Sequence, residues 1–275
     1  MTFDWPFFWT NLLTPNADFI EGLWVTIGIS VVAMVLSLLL GVLIALLLRS
    51  RNIVLRTIGN IYIWVIRGTP LLVQLVIVYS GLAAAGIYRF NDITAGAFTI
   101  QAVIQAAIVT LTIHEAAYIA EIVRSGISSV DTGQFEASEV LALKPHHTML
   151  TIVLPQAVRT MIPPLGNIFN QLMKETSVLS IIGVSEMFLV AQGFSAATFR
   201  TFEIFLVAAL YYLVLTTVWT LIQGLIENRL DKYMGIDSQQ GVLSRIVELL
   251  VPSRRANRPG VISPISVNDQ ARTAV

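Results

Sequence analysis

Five stretches of this chain are apolar over roughly the ~20 residues a helix needs to cross a bilayer, and this pattern limits the possible folds more than any other feature. The first runs without a charge from Gly22 to Leu48. The second covers Ile58 to Ala83 and is interrupted by Arg67. The third extends from Ile93 to Ile122, with Glu115 and Glu121 in its last part. The fourth, Thr160 to Val184, carries Lys174 and Glu175 as its sole charges, and the fifth covers Ile204 to Ile226. Hydrophobic residues make up 55% and charged residues 12%, so an ordinary soluble surface cannot be built from this composition. The expectation is an all-α integral membrane protein with about five transmembrane helices. Cysteine is absent, which removes disulfide frameworks and thiolate metal sites from consideration.

The basic residues orient the spans. Arg49, Arg51 and Arg56 follow the first span, Arg124, Lys144 and Arg159 lie between the third and fourth, and Arg229 and Lys232 follow the fifth. Five crossings put all three groups on one side, which a positive-inside protein makes cytoplasmic, while the opposite loops hold only Arg89 and Arg200. The N-terminus is therefore expected outside and the C-terminus inside. Met1 to Asn16 lacks the basic start of a signal peptide and contains Trp5, Phe7, Phe8 and Trp9, a cluster suited to the lipid–water interface, so residues 1–21 read as an N-terminal interfacial segment. Residues 22–230 form the transmembrane domain. Residues 231–275 read as a partly disordered cytoplasmic tail, with an interfacial helix expected over Val242 to Val251. Ser185 to Phe199 reads as a short outer helix or a re-entrant turn.

A charge at mid-membrane costs about 2.5–3.5 kcal/mol on insertion scales, so Lys174 and Glu175 need a purpose. At ~100° per residue, Asn167, Asn170, Gln171 and Lys174 fall within one narrow arc with Glu175 at its edge, as in the wall of a polar cavity. The amides alone would also serve as interhelical glue. Adjacent residues on a helix do not face one another, so Lys174 and Glu175 are expected to find separate partners. On the second span Arg67 and Gln74 lie nearly on one face, separated by Gly68-Thr69-Pro70, a sequence that favours a kink or break. Arg67 could equally snorkel to the interface. On the third span Gln101, Gln105, Thr112 and Glu115 form another polar stripe, and Glu121 and Arg124 are spaced for an i,i+3 ion pair. His114, His146 and His147 do not form a metal constellation by spacing. The segment 124–160 reads as a short helix, a turn and a second helix, a compact knob. No G-x-x-x-x-G-K-[ST] phosphate loop occurs. Buried charges of this kind also suit an ion-coupled carrier or a channel for a small polar solute.

Several motifs occur together and in order: Arg67-Gly68-Thr69-Pro70-Leu71-Leu72-Val73-Gln74, Glu121 through Gly126, Gly133-Gln134-Phe135-Glu136-Ala137, Leu154-Pro155-Gln156-Ala157, Ile162-Pro163-Pro164-Leu165-Gly166-Asn167 and Lys174-Glu175-Thr176-Ser177. In this the chain resembles the membrane (permease) subunits of bacterial ATP-binding-cassette importers, in the polar amino acid uptake branch, from Gly22 to Leu230. The resemblance implies a type I importer architecture in the bacterial cytoplasmic (inner) membrane and alternating access for a polar amino acid. It also implies a partner ATPase dimer that holds ATP and Mg, a second permease subunit and an extracytoplasmic amino-acid-binding protein. No cofactor is expected on this chain, no catalysis by it, and no nucleic acid partner. Coupling to the ATPase would fall to Glu136, Ala137, Ser138, Ala142, Leu143, Pro145, Leu154 and Pro155. Three positions depart from the family pattern: Ala142 stands where Gly is usual, Glu175 where Asp is common and Ser138 where Ala is usual. If the turn at Ala142 needs a positive φ, the alanine costs on the order of 1 kcal/mol. Within such a transporter, Lys174 would attract the substrate α-carboxylate. Glu175 or Glu115 would take the ammonium or a basic side chain, and Asn167, Asn170, Gln171, Arg67 and Gln74 would complete the site.

Overall fold

A computed structural model describes residues 3–96 and 98–233; the expected helix over Val242 to Val251 lies outside them. The chain opens with α1 (Trp5–Leu13), started by Asp4, whose carboxylate accepts from the Phe7 amide at 3.0 Å. Asp4 also pairs with Arg200 at 2.9 Å, and Tyr211 donates to the Leu12 carbonyl at 2.9 Å. Trp5, Trp9 and Leu13 stay exposed.

Next comes α2 (Ala17–Leu48), capped by Asn16. Its buried positions recur every three or four residues and are mostly small: Gly22, Thr26, Ser30, Ala33, Ser37, Gly41 and Ala45. Lipid tails are as apolar as Leu, so membrane helices associate through close backbone approach, and small residues permit it. The opposite face carries Val35, Leu39, Leu43 and Leu46, all exposed. Then α3 (Ile53–Arg67), capped by Asn52, meets α4 (Leu71–Val76) at a break across Gly68-Thr69-Pro70. A π turn over Ile77–Gly81 leads into α5 (Leu82–Ala84). The axis bends by 104° at the break, so the second apolar stretch is not one straight span.

The third span is shorter than its apolar run predicts. Ile93–Ala95 (β1) and Phe98–Ile100 (β2) form an antiparallel hairpin, and α6 (Ala102–Ser128) begins only afterwards. Thr94 and Ile100 bring β-branched side chains that favour strands, and Gly96 takes the positive φ of 63° that the turn needs. Asp92 then accepts from the Ala102 amide at 2.7 Å and holds the hairpin to the helix start.

The knob consists of α7 (Thr132–Val140), started by Asp131, and α8 (Pro145–Thr148). A π turn (Met149–Val153) then runs into α9 (Leu154–Glu175). Pro163 and Pro164 sit inside α9, and α11 (Thr201–Tyr233) supplies donors along this stretch. Trp219 Nε1 donates to the Gly166 carbonyl at 2.8 Å and Gln223 Nε2 to the Pro163 carbonyl at 3.1 Å. After α9 the chain tightens into a 3₁₀ turn (Thr176–Ile182), and α10 (Met187–Thr198) follows. Glu186 caps α10: it is fully buried and accepts from the Phe188 and Leu189 amides and the Tyr212 hydroxyl.

Among the described residues, three helices are long and apolar enough to cross a membrane: Ala17–Leu48, Ala102–Ser128 and Thr201–Lys232. Two bent pairs, Ile53–Arg67 with Leu71–Ala84 and Pro145–Ile182 with Met187–Thr198, raise the number to five if each counts as one span. The core runs along α2 and α6, with α9 packed against both.

The two helices approach closely at Gly41, where a Cβ would lie 2.6 Å from Ile119 Cγ2 and 3.1 Å from the Ala116 carbonyl oxygen. Gly41→Leu should therefore lower stability by about 1–3 kcal/mol, seen as a lower melting temperature in detergent. Gly28→Ala, in open space on the same helix, should leave it unchanged or slightly raised. Equal melting temperatures for the two variants would contradict the close packing of α2 on α6.

Candidate functional site

Where α6 passes the end of α9, three titratable side chains meet inside the helical core. His114, Glu115 and Glu175 bring their ligating atoms within 4.8 Å of one another. Glu115 is 0% exposed, and among the described residues no amide, hydroxyl or basic side chain donates to its carboxylate oxygens, which lie beside the Glu175 carboxyl. Glu175 Oε1 accepts from Gln171 Nε2 at 2.6 Å, one helical turn away, while its buried Oε2 lacks a donor. A polar group without a partner in such surroundings is costly, and that cost points to a function.

The break between α3 and α4 packs against this cluster. Gln74 reaches back across it: Nε2 donates to the Ile66 carbonyl at 2.8 Å, the Thr69 carbonyl at 3.1 Å and the Thr69 hydroxyl at 2.8 Å. Its Oε1 lies 3.0 Å from His114 Nδ1. With the Gln74 amide nitrogen committed as a donor, its oxygen accepts, so Nδ1 carries the proton and Nε2 of a neutral His114 keeps a lone pair. The His114 ring packs 5.3 Å from the Tyr118 ring, and the exposed Arg67 guanidinium lies 5.3 Å from the other partner, the Tyr118 centroid. Two carboxylates and a neutral imidazole can together hold a proton or receive a cation.

The polar residues of α9 are divided between two sides. Asn167, Gln171 and Lys174 are exposed. Asn170 instead turns to α11, with Nδ2 3.3 Å from Thr220 Oγ1 and 3.5 Å from the Thr216 carbonyl oxygen. Lys174 lines a cavity of about 510 Å³ with Ser177, Phe188, Phe205, Tyr212 and Thr216. It therefore opens onto a different side of the helix from Glu175, as neighbours 100° apart must. Gln74 is buried against the break and His114, while Arg67 ends α3 at the Tyr118 face.

From sequence, His114 was weighed only against the other two histidines and set aside, and Tyr118 was not singled out. The signal was present: His114 precedes Glu115, and Tyr118 follows His114 by one turn on the same helix. His146 and His147 lie exposed on α8, away from the recess.

At the knob, Glu136, Ala137, Ala142, Pro145, Leu154 and Pro155 are exposed, Leu143 is half-buried, and Ser138 is buried with its hydroxyl donating to the Gln134 carbonyl at 2.6 Å. The end of α7 closes with Leu143 N–H on the Ser138 carbonyl and Ala142 N–H on the Glu139 carbonyl, which requires Ala142 in the left-handed region at φ 53°. Val140 and Leu141 protrude at its tip, 87% and 71% exposed. Glu121 and Arg124 form the expected ion pair at 2.6 Å.

Long apolar helices, two bent helix pairs, and a buried acidic cluster beside a lysine-bearing helix end define a multi-pass membrane protein of the solute-translocating kind. The chain belongs to the family of binding-protein-dependent transport system inner membrane components, whose profile matches residues 17–232. It is 34% identical over 231 residues to the probable amino-acid permease protein YxeN of Bacillus subtilis, covering 84% of this chain and 97% of that protein. It is 36% identical over 230 residues to the glutamine transport system permease protein GlnP of Escherichia coli, covering 84% and 99%. A solved amino acid ABC transporter with histidines superposes with a TM-score of 0.73 at 34% identity, over 83% of this chain and all of that one. The fold is thus that of an ABC importer membrane subunit.

If Gln74 braces the break, Gln74→Leu should leave the Ile66 and Thr69 carbonyls without its donor and cost about 1–3 kcal/mol. A thermal melt in detergent checks this, and a wild-type melting temperature would show that the break holds itself.

Proposed function

We propose that this chain is the subunit through which an ATP-driven importer passes a polar amino acid across the cytoplasmic membrane. The observation that carries this reading is the placement of opposite charges on neighbouring sides of one helix end: Lys174 on a cavity wall, and Glu175 in the recess with Glu115. An amino acid carries the complementary pair of charges. Lys174 attracts the α-carboxylate, helped by its position in the last turn of α9, and the carboxylates receive positive charge from the substrate. Gln171 steadies Glu175 through their 2.6 Å hydrogen bond, and Asn170 holds this end of α9 to α11.

The energy comes from partner subunits. An ATPase dimer holds ATP and Mg²⁺ and meets the knob, whose exposed Val140 and Leu141 suit an apolar groove. The backbone hydrogen bonds that close α7 make the knob stiff enough to push on the bundle. A second permease subunit completes the path, and an extracytoplasmic binding protein delivers the amino acid. The knob then faces the cytoplasm, with the N-terminus outside, in agreement with the arginine and lysine distribution. Access to the recess alternates as the subunits rock.

Two substitutions test separate parts of this account in complexes reconstituted into vesicles. Lys174→Met should reduce ATP-driven amino acid uptake at least tenfold through a higher KM; unchanged KM and rate would remove Lys174 from the path. Glu136→Lys should leave the subunit inserted and ATP hydrolysis running while uptake falls. Full uptake by that variant would take the knob out of coupling. Uptake that persists without ATP but follows an ion gradient would instead identify a secondary carrier.

A further inference from the structure

Between α2 and α11, which both pack on α9, lies a slot of about 360 Å³ with an almost wholly apolar lining. Val35 and Leu38 come from α2, Ile162 and Phe169 from α9, and Trp219 and Ile226 from α11. Its mouth is exposed at Val35 and Ile226, and its floor is buried at Gly166, Phe169 and Gln223. The neighbouring Leu39 on α2 and Ile222 and Leu225 on α11 are exposed as well. None of these residues lines the Lys174 cavity.

The chemistry changes at one end of the slot. Arg159 lies about one turn before Ile162 on α9, and Arg229 about one turn after Ile226 on α11. Arg159 commits its Nε to Asp231 at 2.8 Å, and its side chain is 40% exposed. Among the described residues nothing is bonded to its two terminal nitrogens, and Arg229 is exposed without an ion pair. Arginine at the rim of an apolar slot matches one kind of molecule that every bilayer supplies.

We propose that the slot holds one acyl chain of an anionic phospholipid, whose phosphate is met by the Arg159 guanidinium. Water does not suit the slot. Its polar lining residue, Gln223, already donates through Nε2 to the Pro163 carbonyl and the Glu227 carboxylate, and apolar cavities stay dry. An empty slot would deprive its walls of dispersion contacts on one side. A helix from a second copy, about 10–12 Å across with its side chains, is too wide for it, whereas a hydrocarbon chain is not. The arginine and lysine distribution puts the Arg159 end at the cytoplasmic leaflet, where anionic lipids attract basic residues. The bound tail also backs α9 where its prolines weaken it. Trp219 and Gln223 line the slot, and they are the residues that donate to the Gly166 and Pro163 carbonyls.

The test needs no transport. The assembled importer is placed in nanodiscs with a phospholipid carrying a diazirine midway along one acyl chain, as phosphatidylglycerol or as phosphatidylcholine. After illumination, mass spectrometry of peptides finds the adducts. Buried Phe169 and half-buried Trp219 should be labelled as well as exposed Leu39. Phosphatidylglycerol should label Phe169 about threefold more than phosphatidylcholine does, and Leu39 should show no such preference. Leu38→Trp fills the slot and should remove most Phe169 labelling while Leu39 stays labelled. Arg159→Gln should abolish the headgroup preference. Asp231→Asn breaks the same ion pair but keeps the guanidinium, so it should retain the preference. Labelling confined to Leu39 and other exposed positions would overturn the proposal, giving the slot to a protein neighbour or to closed packing. Equal labelling of Phe169 by the two lipids, or a preference that survives Arg159→Gln, would also overturn it, by reducing the slot to ordinary contact with bulk lipid. The wild type alone decides the labelling and its preference, so a poorly folded Leu38→Trp leaves the proposal testable. The permease reading, which rests on uptake, stands or falls separately.

Discussion

A bilayer offers no water to a carboxylate, and everything notable about this structure follows from where it keeps Glu115 all the same. The residue sits fully buried on α6, a helix that the small residues of α2 approach closely at Gly41. Tight packing of that kind fixes the position of α6, and with it that of Glu115, which is 0% exposed. The carboxylate is therefore held in low dielectric beside Glu175, where an opposing charge is worth far more than in water. A site that binds a charged guest gains from such preorganisation, whereas a merely structural helix gains nothing from it.

The remaining architecture shapes the approach to that residue. Gly68-Thr69-Pro70 interrupts the second apolar stretch, and the Gln74 amide ties the broken ends together while holding the His114 ring. Non-helical backbone at membrane depth persists only where protein or a cavity satisfies it, and here a single side chain does much of that. The end of α9 supplies the other wall: the helix tightens into a 3₁₀ turn directly after Glu175, so Lys174 and Glu175 occupy its last turn. Donors from α11 hold α9 in place at Gly166, Pro163 and Asn170. The knob continues into α9 through a π turn, giving a continuous connection from Val140 and Leu141 to Lys174.

Much of this was legible in the sequence, for physical reasons. Apolar runs such as Gly22 to Leu48 have few alternatives to a membrane helix, and Gly68-Thr69-Pro70 announces a break because Pro lacks a donor and Gly lacks side-chain restraint. Hydropathy could not place the start of α6, since Ile93, Thr94 and Ile100 are as apolar in a hairpin as in a helix. A helical wheel puts Asn170 and Lys174 on one arc, yet it cannot say that Asn170 is hydrogen-bonded to α11 while Lys174 lines a cavity beside the same helix. Nor could it bring His114 to Gln74, because that contact joins residues on separate helices across a bend. The left-handed conformation of Ala142 was anticipated only as a cost, and the backbone hydrogen bonds that end α7 show what compensates it.

The central claim is that the space between Lys174 and Glu115 is the passage of the transported molecule. A cryo-electron microscopy map of the assembled importer, prepared with excess amino acid, tests it directly. The account predicts ligand density in contact with the Glu115 and Glu175 carboxylates, its α-carboxylate reaching toward the Lys174 ammonium. Ordered lipid in the cavity, Lys174 turned to the headgroups and a recess closed by fixed protein neighbours would contradict it.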